Sequence, residues 1–481
     1  MLAVLAVAAI CVHGYHPAVE DAEIYVPGIK KALNPSLYPH NDAFFMSHAR
    51  MTLFPNLVAA SVKVTHLSLD RVLLIWHAFS IFLLLLGCWY LGALAFREGL
   101  ARWGGVLLVA SLLTIPVAGT ALYLMDEYFN PRSLSTPAIL FVIINAVERK
   151  YVRAFLWMAA TAVIHPLMVV FGAAYAVIYL WLEARQSQGR TMGALSGVSA
   201  VLAFPFGLFP PATPAYREAL NSRPYFFLLR WHWYEWLGIV GPLAILRWFQ
   251  SIAHRRRETR LERMCAASVL YGLLFLAAGL VLTIPDQFAN LVELQPMRSL
   301  HLVYVLLFVF AGGLLAESIL KRHVWRWALL FIPLCAGMWY AQRQIFHHTA
   351  HLELPGVSSR NDWVKAFEWI RDNTPADAYF ALDPQAMALA GEDQHGFRAI
   401  AERSMLADDV KDTGAVTMFP ALAGQWQEQV QAQRNWPRFF AADFHALKAK
   451  FGVDWVVLQR TGISGLSCPY ENDKLLVCRV E

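Results

Sequence analysis

Apolar residues fall along this chain in long runs separated by short polar breaks. An opening run from Leu2 to Val12 continues as a helix to about residue 18. Further runs cover 72–96, 104–125, 134–147, 153–165, 167–182, 192–209, 231–249, 265–284, 299–320 and 325–345. A membrane-crossing helix needs about 20 residues, so the pattern predicts a polytopic α-helical membrane protein with about eleven transmembrane helices in residues 1–345. Several runs are short, notably around Pro137 and at His165-Pro166. Broken helices are tolerated where they pack on protein or line a cavity. Leu2–Val12 also has the length of a cleaved leader's apolar region, but lacks the basic start of such leaders.

From residue 346 the pattern changes. NDWVKAFEWIRDNTP sets Trp363, Phe367, Trp369 and Ile370 on one helical face, with Asn361 or Asp362 as cap and Pro375 beyond the end. AYFALD, VDWVVLQ and KLLVCRV read as strands. Residues 346–481 are therefore expected to form a small α/β domain.

Composition supports this division. The chain is 57% hydrophobic and 16% charged, where soluble domains carry about 25% charged residues, and its mean hydropathy is +0.42. That excludes a soluble enzyme. The net charge of +5 is modest, and its placement says more. Basic residues occupy loops at Arg97 and Arg102, Arg149 to Arg153, Arg185 and Arg190, Arg247 to Arg263, and Lys321 to Arg326. With the spans drawn above, all of these loops fall on one side, which the positive-inside rule makes the cytoplasm. The N-terminus is then cytoplasmic and 346–481 extracytoplasmic, periplasmic in a bacterial plasma membrane. Charge distributed in this way marks topology, not a nucleic-acid partner. Cys11, Cys88, Cys265 and Cys335 lie in apolar runs; Cys468 and Cys478, in the outer domain, are expected to pair in an oxidising compartment.

The opposite loops, 14–69, 126–133, 210–230 and 285–298, gather acidic groups, histidines and aromatics. HPAVEDAEIYVPG brings Glu20, Asp21 and Glu23 to the place where the first helix leaves the bilayer, and ionisable groups at that depth are costly. With 18–33 as a helix on the membrane surface, Ile24, Tyr25, Ile29 and Leu33 form an apolar stripe and Asp21 faces a cavity beneath. A carboxylate there can take a proton from a hydroxyl; alternatively, Glu20 and Asp21 simply cap the helix. YLMDEYFNPRS adds Asp126 and Glu127, either as the second wall of an acidic pocket or as ion-pair partners of Arg132. Asp21 and Asp126 offer oxygen ligands to a divalent cation such as Mg or Mn.

Arg298, in ELQPMRSLHL, can bind a phosphate bidentately or snorkel to lipid headgroups. Arg223 is a further candidate, with Arg217 and Arg230 nearby. His165 either hydrogen-bonds a substrate or caps a broken helix. His232, amid Trp231, Trp233, Tyr234 and Trp236, belongs to a sugar-stacking surface or to an interfacial aromatic belt. The sequence holds no phosphate-cradling glycine loop, HExxH or GxSxG, so nothing points to a nucleotide donor.

VEDAEIY, MDEYFNP, the HPLM corner and the outer arginine together resemble the GT-C superfamily of integral membrane glycosyltransferases. WIRDNTPADAYFALDP, followed later by FGVDWVVL, is similar to extracytoplasmic domains attached to its members. The resemblance covers most of the chain as architecture, through short motifs. It implies a polyprenyl-phosphate or pyrophosphate sugar donor used on the outer face, a lipid, glycan or protein acceptor, and inversion by a carboxylate base. On this chain it implies Asp21 as base or metal ligand with Glu20 and Glu23 as rivals, Asp126 or Glu127 assisting, and Arg298 on the donor phosphate. The WWD-type signature of oligosaccharyltransferases is missing, which argues against transfer to asparagine. A rival reading is a lipid or solute transporter or flippase, against which stands the lack of a clear internal repeat. Another is a non-catalytic assembly subunit on the same fold.

Overall fold

The computed structural model describes residues 1–188, 212–283, 286–459 and 465–481. Six helices in it are long and apolar enough to cross a membrane: Leu69–Ala95, Pro166–Gln186, Trp233–Arg256, Thr259–Thr283, Leu291–Leu320 and Val324–Ile345. Four shorter apolar helices, Leu2–His13, Gly99–Ala110, Pro131–Val147 and Tyr151–Ile164, pack among them. The expected run at 192–209, and Arg190, lie outside the described residues. Small residues bring some of these helices unusually close. A Cβ on Gly104 would sit 2.3 Å from the Gly312 carbonyl oxygen, and one on Gly312 would sit 2.2 Å from that of Gly104. Apolar helices in lipid gain little from hydrophobicity and rely on such close contact instead.

The expected span at 104–125 is corrected. Its helix stops at Ala110, and 111–130 folds without a helix. The Val117 N–H donates to the Leu122 carbonyl and the Met125 N–H to that of Leu113, both at 2.8 Å, while Pro116 bridges to Tyr123. Pro116 has no N–H to continue a helix, and irregular backbone in such a setting needs protein or a cavity beside it.

The loop expected to face outward, 14–69, contains three helices, Ala22–Leu33, Ala43–Met51 and Phe54–Thr65. The expected stripe on the first of them does not lie on lipid. Ile24 packs with Leu37, Tyr38 and Phe45, and Ile29 with Phe54, Val58, Tyr128 and Phe129. These helices thus form an apolar cap whose partners include 128–129, Val72, Leu73 and Leu134, with Ala399 and Trp426 of the C-terminal region packed on it.

In the C-terminal region Asn361 caps helix Asp362–Asn373, accepting from the N–H groups of Trp363 at 2.9 Å and Val364 at 3.3 Å. Trp363, Phe367 and Ile370 enter a core with Phe380, Val457 and Val477. Five strands, β1 (Tyr379–Leu382), β2 (Ser404–Met405), β3 (Trp455–Gln459), β4 (Ser467–Glu471) and β5 (Leu475–Arg479), form one sheet in the order β2-β1-β3-β5-β4. β1 runs parallel to β2 and β3, and β5 is antiparallel to β3 and β4. A Cys468–Cys478 disulfide joins β4 to β5.

This domain is bonded to the 14–69 loop. The Gly396 N–H donates to the Ala18 carbonyl at 2.8 Å and the Glu20 N–H to that of Gln394 at 3.2 Å. Lys30 Nζ reaches the Ala399 carbonyl and Glu402, at 2.8 and 2.7 Å.

Candidate active site

Glu20 and Asp21, Asp126 and Glu127, and Arg223 and Arg298 converge on one cavity of about 280 Å³. Its walls come from Glu20 and Asp21, from the non-helical 116–128 segment, and from Arg132, Arg223 and Tyr225. Arg298, and Lys411 of the C-terminal domain, complete it. Glu20, Ala118 and Ala121 line it with φ of 53°, 41° and 54°. Non-glycine residues in that region cost about 1–3 kcal/mol each and cluster at functional sites.

Asp21 stands at the N-cap of helix Ala22–Leu33 but makes no capping bond, so capping does not explain it. Its carboxylate instead accepts from Lys411 Nζ at 3.0 Å, and the same ammonium donates to Glu20. The Asp21 N–H donates to the Tyr128 hydroxyl at 3.2 Å. The Asp21 side chain keeps 38% of its surface accessible where it lines the cavity. Burial in the depth of the cavity acts to raise its pKa. The charges of Lys411, Arg132 and Arg298 outweigh this and hold it well below the carboxylate range. Lys411 shows the counterpart: burial acts to lower its pKa, and Asp21 and Glu20 raise it overall.

Asp126 and Glu127 both line the cavity. Asp126 pairs with Arg132 and also accepts from Asn130 Nδ2 at 2.5 Å. Asn130 caps helix Pro131–Val147 through the Ser133 N–H, so the helix start orients the Asp126 partner. Glu127 is 3% exposed and its Oε1 has no hydrogen-bond partner among the described residues. Burial, with the Asp126 charge beside it, pushes its pKa up to about 8.

The cavity's arginines are not all satisfied. The Arg223 guanidinium donates to the Val410 carbonyl, yet its buried Nε has no partner among the described residues, nor does the Nε of Arg298. Unsatisfied buried donors are costly, and an anion entering the cavity would relieve that cost.

Of the sequence-predicted site residues, Glu20, Asp21, Asp126, Glu127, Arg223 and Arg298 share the cavity. Glu23 does not. It points into the C-terminal domain, accepting from the N–H groups of Arg398 and Ala399, both at 3.0 Å, and lies 3.5 Å from the Arg398 guanidinium. Helical geometry explains this, because residues two apart face different sides. His165 ends helix Tyr151–Ile164, its N–H on the Thr161 carbonyl at 2.7 Å, and does not line the cavity. His232 is exposed at the start of helix Trp233–Arg256, stacked on Tyr234. Trp231 is buried over Gly119, where a Cβ would lie 2.6 Å from its ring.

Sequence reasoning missed Lys411, Tyr123, Tyr128 and Tyr225. Lys411 sits in ADDVKDTG, 390 positions from Asp21, with no local pattern to distinguish it. Asp21 and Asp126 fit a divalent cation poorly, since Lys411 holds the first and Arg132 with Asn130 the second. Among the described residues no three His, Cys, Asp or Glu side chains come together as a metal-binding group.

Residues 361–430 match the family described as "Domain of unknown function (DUF6798)", a stretch that includes Lys411 and Arg398. No curated protein matches the chain in sequence. Among solved structures, the apo crystal structure of the Archaeoglobus fulgidus oligosaccharyltransferase is similar, with a TM-score of 0.51 and 13% identity over 95% of this chain and 69% of that one. At that identity the likeness is one of fold alone.

Proposed function

We propose that this protein transfers a sugar from a polyprenyl-phosphate-linked donor to an acceptor hydroxyl at the outer face of a bacterial plasma membrane. The observation that carries the proposal is the meeting, in one cavity, of two carboxylate loops with guanidinium Nε donors that have no partner among the described residues. The shared fold of a protein titled an oligosaccharyltransferase supports glycosyl transfer as the reaction class.

In this reading Arg298, with Arg223, receives the donor phosphate, and their charge stabilises it as it departs. The bond from the anomeric carbon to the phosphate oxygen breaks as the acceptor oxygen bonds to the opposite face of that carbon, inverting it. The acceptor proton passes to Asp21. A carboxylate of depressed pKa is a weak base, but the acceptor oxygen becomes strongly acidic as it bonds to the anomeric carbon, so a late transfer suffices. No covalent nucleophile is needed.

The test is transfer of label from polyprenyl-phosphate sugars by purified wild type and Asp21→Asn. Loss of about 10²–10⁴-fold in turnover with donor binding kept is expected for a lost proton acceptor. Equal transfer by both proteins removes Asp21 from the role. Saturable lipid binding without transfer by either returns the transporter and scaffold readings.

A further inference from the structure

We propose that Lys411 is a built-in cation that takes the place of a metal ion at the Glu20–Asp21 carboxylates, and that the C-terminal domain is therefore a working part of the site. This rests on the glycosyl-transfer reading for its catalytic consequence, but not for its charge chemistry.

The geometry is a closed circuit between the 14–69 loop and the C-terminal domain. Lys411 Nζ bridges Glu20 and Asp21. Lys411 is fixed in turn by its own backbone: its N–H and those of Val410 and Asp412 all point to Asp408 Oδ1. Asp412, the next residue, holds Arg398 through two bonds of 2.9 and 2.6 Å. Arg398 reaches back to Glu23, two residues beyond Asp21. The Arg398 and Ala399 N–H groups also clasp the Glu23 carboxylate. Glu23, Arg398 and Asp412 are each 1% exposed, so this set is rigidly enclosed and sets the register at which Lys411 enters the cavity. Glu23 and Arg398 are positioning residues for Lys411, not catalytic ones.

An ammonium ion between two carboxylates does the electrostatic work of a bound cation with none of its coordination demands. It neutralises excess negative charge beside an incoming phosphate, and it occupies the oxygen atoms a divalent ion would need. Two long-range consequences follow. Transfer should not require a divalent cation, and it should require a docked C-terminal domain.

The experiment pairs a binding measurement with an activity measurement on the full-length protein in detergent: wild type, Lys411→Met, Lys411→Arg, and Lys411→Met combined with Asp21→Asn. Mn²⁺ binding is read by electron paramagnetic resonance. Wild type is expected to bind no Mn²⁺ in an Asp21-dependent way. Lys411→Met, which frees the carboxylates, is expected to gain a site that the added Asp21→Asn abolishes. In the transfer assay, chelator should leave wild type active. Lys411→Met should lose about 10²-fold in kcat, the scale of one stabilising donor, with Lys411→Arg retaining part of it and donor KM little changed. Asp21-dependent Mn²⁺ binding by wild type, or full chelator-resistant transfer by Lys411→Met, overturns the proposal. If wild type transfers no sugar at all, the function reading fails, while the Mn²⁺ comparison still decides whether Lys411 replaces an ion.

Discussion

Glu127 offers the sharpest check on the electrostatics, because it is a buried carboxyl without a partner at Oε1. With its pKa raised from 4.5 to about 8, it is about nine-tenths protonated at pH 7, and Glu127→Gln closely imitates that form. For an acid whose folded pKa is raised, the stability it contributes is full below about 4.5 and is lost as pH rises through about 8. At about 1.4 kcal/mol per tenfold, that interval corresponds to at most ~5 kcal/mol. Wild type should therefore lose stability between pH 5 and 9, and Glu127→Gln should not. The two should melt alike at pH 5 and diverge by several degrees at pH 9, the variant melting higher. Asp126→Asn supplies a second arm: the Asp126 charge is the next cause after burial, so its removal should move the midpoint to lower pH. Thermal melts followed by intrinsic tryptophan fluorescence, at half-unit steps of pH, measure all three proteins. Parallel curves for wild type and Glu127→Gln across the whole range would refute the argument and show a carboxyl that titrates as it does in water.

Three further outcomes follow from other parts of the molecule. Arg298→Ala should raise donor KM by about ten- to a hundredfold, since hydrogen bonds to charged groups contribute about 1.5–3 kcal/mol; unchanged KM in the transfer assay would remove Arg298 from the phosphate. Arg398→Met strands Asp412 and Glu23 without their buried cation, a loss of about 3–5 kcal/mol, and limited proteolysis should then cleave 346–481 faster than wild type; identical digestion would mean that the network does not hold the domain. Gly119→Val forces a side chain against the Trp231 ring, and overpacking of about 1–3 kcal/mol should lower the melting temperature and alter tryptophan emission, with an unshifted melt counting against the close contact.

Hydrophobic periodicity located most helices because lipid and core impose the same demand on every turn, and it named β1, β3 and β5 because buried strands carry apolar runs. It failed at 111–125, where residues just as apolar as a span line a cavity in irregular backbone; Pro116 was the only local warning. β2 is two residues long and β4 contains Pro469, so neither had a pattern to read. The carboxylates of the site were readable as isolated charges at helix ends, where their cost demanded a reason. Glu20, Asp21 and Glu23 could not be told apart by that criterion, since what separates them is the direction of each side chain against a domain that begins more than 300 residues later. Lys411 was invisible for the same reason.

The charges of the cavity, taken together, argue for the kind of ligand it receives. Its acidic lining is Glu20, Asp21, Asp126 and Glu127, and its basic lining is Arg132, Arg223, Arg298 and Lys411. Formally these cancel, but they are not evenly matched. Lys411 is committed to Glu20 and Asp21, and Arg132 to Asp126. Glu127, its pKa near 8, is mostly neutral at pH 7. One ammonium leaves one negative charge over on the Glu20–Asp21 pair, so the lining carries a net charge of +1, contributed by Arg298 and Arg223, whose Nε atoms have no partner among the described residues. A cavity with surplus guanidinium and no free carboxylate pair favours an anion over a metal ion. A phosphate ester suits it, and raising the pH through 8 ionises Glu127 and erodes that preference, so the same carboxyl that weakens the fold at high pH should also weaken the binding of such an anion.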